Sequence, residues 1–195
     1  MHLTRYSMYR QIGDVIQHRL AGRILGISGI ENFYGWIDGA ASEVVEVAYP
    51  EVDMQELRFA DEEFDVVISD HVLAHIRDPR LALSEAFRVL KVGGLGIHTT
   101  RACGPPSRYP EDYYRFLRDG LLAICPRDLE VLQLGSWGNR FAMGLMLIRD
   151  PFFRFMQIPE KPGIRRWLAT YNEDDYPIHT WIVARKVNRQ PSHDV

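Results

Sequence analysis

The stretch from Phe64 to Thr100, FDVVISDHVLAHIRDPRLALSEAFRVLKVGGLGIHTT, constrains the fold more than any other part of this 195-residue chain. Phe64 to Ser69 is an apolar run rich in β-branched residues, the composition of a strand buried on both faces of a parallel sheet. Asp78 and Pro79 predict a helix start, because aspartate accepts the orphan N–H bonds of a first turn and proline has no N–H to leave unpaired. Leu83, Phe87 and Leu90 follow at helical spacing, and Ala82, Ala86 and Val89 widen the apolar face. Lys91 and Gly93-Gly94 then predict the helix end, a cation in the last turn followed by permissive backbone. Leu95 to Thr100 reads as the next strand. The unit is strand–helix–strand, and its crossover is expected to be right-handed.

The rest of the chain repeats that alternation. Tyr6 to Leu20 carries Ile12, Val15, Ile16 and Leu20 on an amphipathic helix that Gly22 is expected to end. Arg23 to Ile27 is a short strand, residues 31–39 a short helix, and Glu43 to Ala48 a second strand. Glu51 to Glu63, with four glutamates and two aspartates, reads as a loop. Arg101 to Pro110 is a second loop, Glu111 to Arg118 one or two helical turns, and Leu121 to Cys125 a short helix. Leu129 to Leu134 and Ile178 to Arg185 are further strands, with a helical cap or insertion expected over 139–175 and a disordered tail over 187–195. Strands alternating with helices predict one α/β domain over 1–186, built on an open, mostly parallel, twisted sheet with helices on both faces.

Composition narrows the function classes. A net charge of −3 gives no electrostatic reason for a nucleic-acid partner. No apolar run approaches the roughly 20 residues that span a bilayer, and no signal-peptide core is visible at the N-terminus. Cys103 and Cys125 are too few for a disulfide framework or a cysteine metal site. These features predict a cytoplasmic protein.

Several motifs, in order, resemble those of class I S-adenosylmethionine-dependent methyltransferases, type 11 branch. They are Phe64-Asp65-Val66-Val67, Val72-Leu73-Ala74-His75, Asp78-Pro79, Glu85, and Arg88-Val89-Leu90-Lys91 with Gly93-Gly94. Ala74 stands at the family's usual glutamate and Val92 at its usual proline. Leu57, Phe59 and Asp61 resemble the family's LPF-D segment, and Tyr109 to Phe116 a YPxDYWRF element found in polysaccharide and lipid-linked sugar pathways. The resemblance spans about residues 20–138. It implies a Rossmann-like sheet with an antiparallel last strand. It also implies a shortened edge, because Tyr49 to Val52 cannot hold the helix and third strand that family members place there.

In such folds the ligand lies outside the carboxyl ends of the strands, at the switch in strand order. The implied cofactor is S-adenosylmethionine, and its expected contacts are Gly26, Ser28, Gly29, Asp53 and Asp70. The loop departs from the family pattern: Gly26 replaces an acid, Ile30 and Asn32 replace glycines, and Ala48 stands where a carboxylate would hold the ribose. Glu46 and Glu31 are the acids nearest to serve instead. His98 and His71 are the candidate catalytic bases. His71 and His75 share a helix spacing that suits metal, but no third ligand accompanies them, so no metal is expected. Tyr109, Asp112, Tyr113, Arg115 and Trp137 are the candidate substrate-binding residues, Arg115 through its planar fork.

Two functions follow as expectations. One is S-adenosylmethionine-dependent methylation of a small molecule, a sugar or glycan precursor among the candidates. The other is a methyltransferase-like binding or regulatory module that has lost its cofactor site. A nicotinamide-dependent oxidoreductase is disfavoured, because G-x-G-x-x-G is absent after the first strand. A homodimer through the shortened sheet edge is a further expectation, since exposed edges invite pairing.

Overall fold

A run such as Phe64–Ser69 buries both faces only inside a sheet covered on each side, and it occupies such a position. The computed structural model describes residues 2–16, 20–148 and 162–188. Strands β1 (Leu20–Ile27), β2 (Ile37–Val47), β3 (Phe64–Asp70), β4 (Leu90–Arg101), β5 (Leu129–Trp137) and β6 (His179–Lys186) form one sheet in the order β2-β1-β3-β4-β6-β5. β2, β1, β3 and β4 pair in parallel, and β6 is antiparallel to both β4 and β5. Residues 48–63, between β2 and β3, contain neither helix nor strand, so β2 is an edge. The shortened edge and the antiparallel last strand are as expected.

Helices cover both faces. α1 (Tyr6–Val15), α4 (Arg140–Leu147) and α5 (Ile164–Thr170) contribute Met8, Tyr9, Ile12, Ala142 and Leu168 to a core with Ile24, Ile68, Ile97 and Trp181. α2 (Pro79–Val89) and α3 (Arg118–Ala123) contribute Leu83, Phe87 and Leu121 to a second core with Leu25, Val67 and Ile182. The cap of α2 is the one expected, with the Asp78 carboxylate accepting from Leu81 N at 3.0 Å. α4 and α5 lie within the expected helical segment. Residues 149–161 of that segment, and 189–195 of the expected tail, lie outside the described residues.

Several boundaries differ from expectation. α1 ends at Val15, and Gly22 does not terminate it: Gly22 lies inside β1 at φ +90°, where the register with β2 shifts. A Cβ there would come within 2.5 Å of Asp65 Oδ2, the carboxylate that accepts from Arg23 N and Lys91 Nζ. Lys91 therefore pairs with Asp65 across the sheet instead of capping α2. Backbone N–H groups of Glu62 and Glu63 cap the helix by donating to Arg88 O and Val89 O, and Lys186 Nζ donates to Leu90 O. Gly93 and Gly94 fall inside β4, which begins at Leu90. Residues 111–117 form no helix, and the helical turn starts at Arg118.

The family-like motif residues explain one another. Arg88 donates to Glu85, to Asp61 and to the carbonyls of Leu57 and Phe59, while Glu85 also accepts from Leu57 N. A planar five-donor fork can do this, and a lysine cannot. These residues fasten the 57–61 loop to α2.

Candidate functional site

β6 runs against its neighbours, so its first residues meet the last residues of β1, β3, β4 and β5 along one edge of the sheet. β1 and β3 each turn away there through a non-glycine residue in the left-handed region, Ser28 at φ 62° and His71 at φ 60°. Such a conformation costs about 1–2 kcal/mol, and it recurs where a turn must leave a strand end exposed to a ligand.

Asp70 is the hub of the α1 side of this edge. Its Oδ1 accepts from the Thr99 hydroxyl at 2.6 Å, and its Oδ2 accepts from the Tyr9 hydroxyl at 2.5 Å and from Asn32 Nδ2 at 3.3 Å. Burial and the Asp70 carboxylate push the Tyr9 phenol above its ordinary range. His71 follows, its N–H donating to Thr99 O, and its ring lies edge-on to His179 with centroids 4.8 Å apart. All four nitrogens of these two rings are buried without a hydrogen bond, as is Trp137 Nε1. Burial holds both imidazoles well below their usual range.

His98 is elsewhere. Its side chain faces the α2 core, where the ring packs on Phe87 at 5.3 Å and Nδ1 meets Ser69 Oγ at 2.8 Å. It is fully buried, and burial lowers its pKa to about 3. That geometry is a core histidine held through Nδ1, its Nε2 buried without a partner, and it has no access to a substrate proton. Among the described residues no group of three His, Cys, Asp or Glu is placed to hold a metal ion.

The 104–116 segment forms a strap over residues 74–77. Tyr113 N and Tyr114 N both donate to Ala74 O, and His75 Nδ1 lies 2.7 Å from Glu111 O. Tyr113 OH accepts from Arg77 Nε, and Tyr114 OH donates to Arg77 O. Asp112 takes both terminal nitrogens of Arg115 and also accepts from Ser107 N. Arg115 reaches the carbonyls of Gly104, Pro105 and Tyr114 as well, so its fork closes the strap upon itself. Tyr109 is 84% exposed at the strap's tip. The structure thus joins Asp70, His71 and Trp137 in one cluster and Asp112, Tyr113 and Arg115 in another.

S-adenosylmethionine, the cofactor implied by the fold, does not fit the residues present. A Cβ on Gly26 would lie 2.8 Å from the Ile30 side chain and 3.2 Å from Glu46 Cγ, so the space that glycine leaves is filled by this chain. A six-residue 3-10 segment, Glu31–Trp36, follows instead of a helix whose N-terminus could hold an anionic group. Ala48 has no carboxylate for a ribose, and Glu46 accepts from the Tyr34 hydroxyl. Asp53, expected beside the adenine, accepts from both nitrogens of Gln55, whose Oε1 receives Asp78 N. Asp70 is saturated as described.

Tyr9, Asn32, Thr99 and His179 complete the cluster but were not among the sequence-derived candidates. They reach it from α1, the loop after β1, β4 and β6, and only the strand order brings them together.

Residues 14–97 match the family model described as a methyltransferase domain, type 11. The match spans less than half of the chain. Its fold resembles phosphoethanolamine N-methyltransferase 2 of Haemonchus contortus, solved with S-adenosyl-L-methionine, at TM-score 0.61 and 17% identity over 94% of this chain and 53% of that one. A S-adenosylmethionine-dependent methyltransferase from Mesorhizobium loti aligns at TM-score 0.52 and 12% identity, covering 94% and 98% of the two chains. The 4+2 cyclase SpnF aligns at TM-score 0.51 and 18% identity, covering 92% and 80%. No curated protein sequence matches the chain. At these identities the likeness is one of fold, and a cyclase among the neighbours shows that the methyltransferase fold does not by itself name a reaction.

Proposed function

We propose that this methyltransferase domain acts as a binding module whose donor crevice is closed by its own side chains. The observation that carries the reading is Ile30, fully buried and seated over Gly26 at the switch in strand order. A cofactor entering there must displace a buried isoleucine, at a cost of about 1.5–3 kcal/mol in exposed apolar surface alone. It would then meet an Asp70 already bound by three partners.

Thermal unfolding in the presence of S-adenosylmethionine and S-adenosylhomocysteine tests this. A specific ligand at a hundred times its dissociation constant stabilises by about 2.7 kcal/mol. No shift is expected at millimolar concentrations of either compound. A saturable shift overturns the proposal.

The family match and the neighbour solved with S-adenosyl-L-methionine favour a second reading, an S-adenosylmethionine-dependent methyltransferase acting on a small molecule such as a sugar or glycan precursor. On that reading Ser28 and Gly29 would border the cofactor, and Tyr109, Tyr113 and the Asp112–Arg115 strap would border the acceptor. The ligand titration separates the two readings.

A further inference from the structure

The α1 side of the carboxyl edge holds donors that find no acceptor among the described residues. Arg101 is the register partner of His179, and His179 of Trp137. Directly opposed residues on neighbouring antiparallel strands share a face, so these three side chains stand in a row. The His71 ring packs against the middle of that row.

Each neutral imidazole carries one N–H, so His71, His179 and Trp137 present three buried N–H donors with no partner. An unsatisfied buried polar group costs about 1–3 kcal/mol, and native structures hold few of them. Five unpartnered nitrogen atoms within one cluster therefore point to a missing ligand.

The charges around the cluster indicate its sign. Arg5 and Arg101 lie near enough to both rings to disfavour protonation there, and both guanidiniums are half-buried. Arg101 is itself disfavoured as a cation by burial and by Arg5 and Arg115, and its guanidinium donates to Ser107 Oγ at 3.4 Å. The facing acids are engaged: Asp70 Oδ1 lies 3.9 Å from His71 Nε2 but is held by Thr99, and Asp112 is held by Arg115. Water would satisfy the neutral donors but carries no charge to set against Arg101 and Arg5.

We propose that His71, His179 and Trp137, with Arg101 and Arg5, form a binding site for a small anion, a phosphate or a carboxylate. The N–H donors hydrogen-bond its oxygens, and the guanidiniums compensate its charge. The site uses neither Gly26 nor Ile30, so its test is separate from the cofactor titration.

The test is titration of the full chain with inorganic phosphate and, separately, acetate, at ionic strength matched with sodium chloride. Thermal unfolding and the imidazole nitrogen resonances are the readouts. A saturable stabilisation by one of the two anions, with shifts at His71 and His179, is expected, and whichever anion responds identifies the headgroup class. Arg101→Gln, at a half-buried position outside the hydrophobic core, is expected to fold and to weaken the response at least tenfold. His179→Gln is expected to abolish it. Stabilisation matched by chloride, histidine resonances unmoved by either anion, or an Arg101→Gln variant that responds like the parent would each overturn the site. Including S-adenosylmethionine in the same plate keeps the proposals separable: a response to it alone defeats the closed crevice and the anion site together, and a response to phosphate alone leaves both standing.

Discussion

The ring of His71 stands edge-on to that of His179, 4.8 Å between centroids, and none of their four nitrogens has a hydrogen-bond partner. One ring closes β3 and the other opens β6, so a pair 108 positions apart in sequence shares one buried corner. Both must stay neutral for the corner to remain packed.

Acid should therefore destabilise the fold before its carboxylates titrate. His71, His98 and His179 are all lowered by burial, His98 to about 3. The unfolded chain protonates these residues below about 6.5, so it binds more protons than the fold does as the pH drops through that value. Stability is full above that range and falls below it, by about 2 kcal/mol at pH 5 for His98 alone. Urea unfolding at pH 8, 6 and 5 measures this, and a midpoint unchanged across that range contradicts it. A His98→Gln variant should lose stability less steeply.

Asp112 behaves with the opposite dependence. The Arg115 guanidinium holds its carboxyl at about 2, below the usual carboxylate range. Its contribution is present above about 3.9 and disappears as the pH falls through the lowered value, which amounts to about 2 kcal/mol at neutral pH. Asp112→Asn should cost about that much at pH 7 and converge with the parent near pH 2. Equal stability of the two proteins at pH 7 would show that the strap is not held by this pair.

Gly26 and Ile30 should be energetically coupled. Gly26→Ala places a methyl group 2.8 Å from the Ile30 side chain and is expected to cost about 1–3 kcal/mol. Ile30→Ala empties that space at about 2–5 kcal/mol. The double variant should cost clearly less than the sum, because the new methyl fills part of the cavity. Strict additivity in a double-mutant cycle would refute the packing on which the closed crevice rests.

Arg88→Lys should destabilise despite keeping the charge. Arg88 makes hydrogen bonds to Glu85, Asp61, Leu57 O and Phe59 O, and a lysine can satisfy few of them at once. A loss of about 1–3 kcal/mol is expected in chemical unfolding. The 57–61 loop should also exchange its amide hydrogens faster, and parent-like exchange there would contradict the fastening role.

The βα unit around Phe64–Thr100 was legible because its signals are local. The buried strand, the Asp78–Pro79 cap and the Leu83–Phe87–Leu90 face depend on residues within a few positions of one another. The shortened edge was legible too, since Tyr49 to Val52, the stretch before Asp53, cannot hold a helix and a strand. Gly22 and Lys91 were misread because their partner, Asp65, is distant in sequence: both positions serve that carboxylate, and neither ends a helix. His98 looked like a base at a strand's end, and the sheet's alternation turned it into the α2 core.

By itself, the chain's sequence determined a Rossmann-like methyltransferase fold, since periodicity, caps and motif order are properties of neighbours. The tertiary structure decided what lies at the carboxyl edge. It brought Tyr9, Asn32 and Thr99 to Asp70, set Ile30 over Gly26, and placed His179 against His71 by running β6 antiparallel. A site of this kind is assembled from strand ends and a helix far apart in the chain, so burial and hydrogen-bond pairing at its atoms exist only once the sheet has closed.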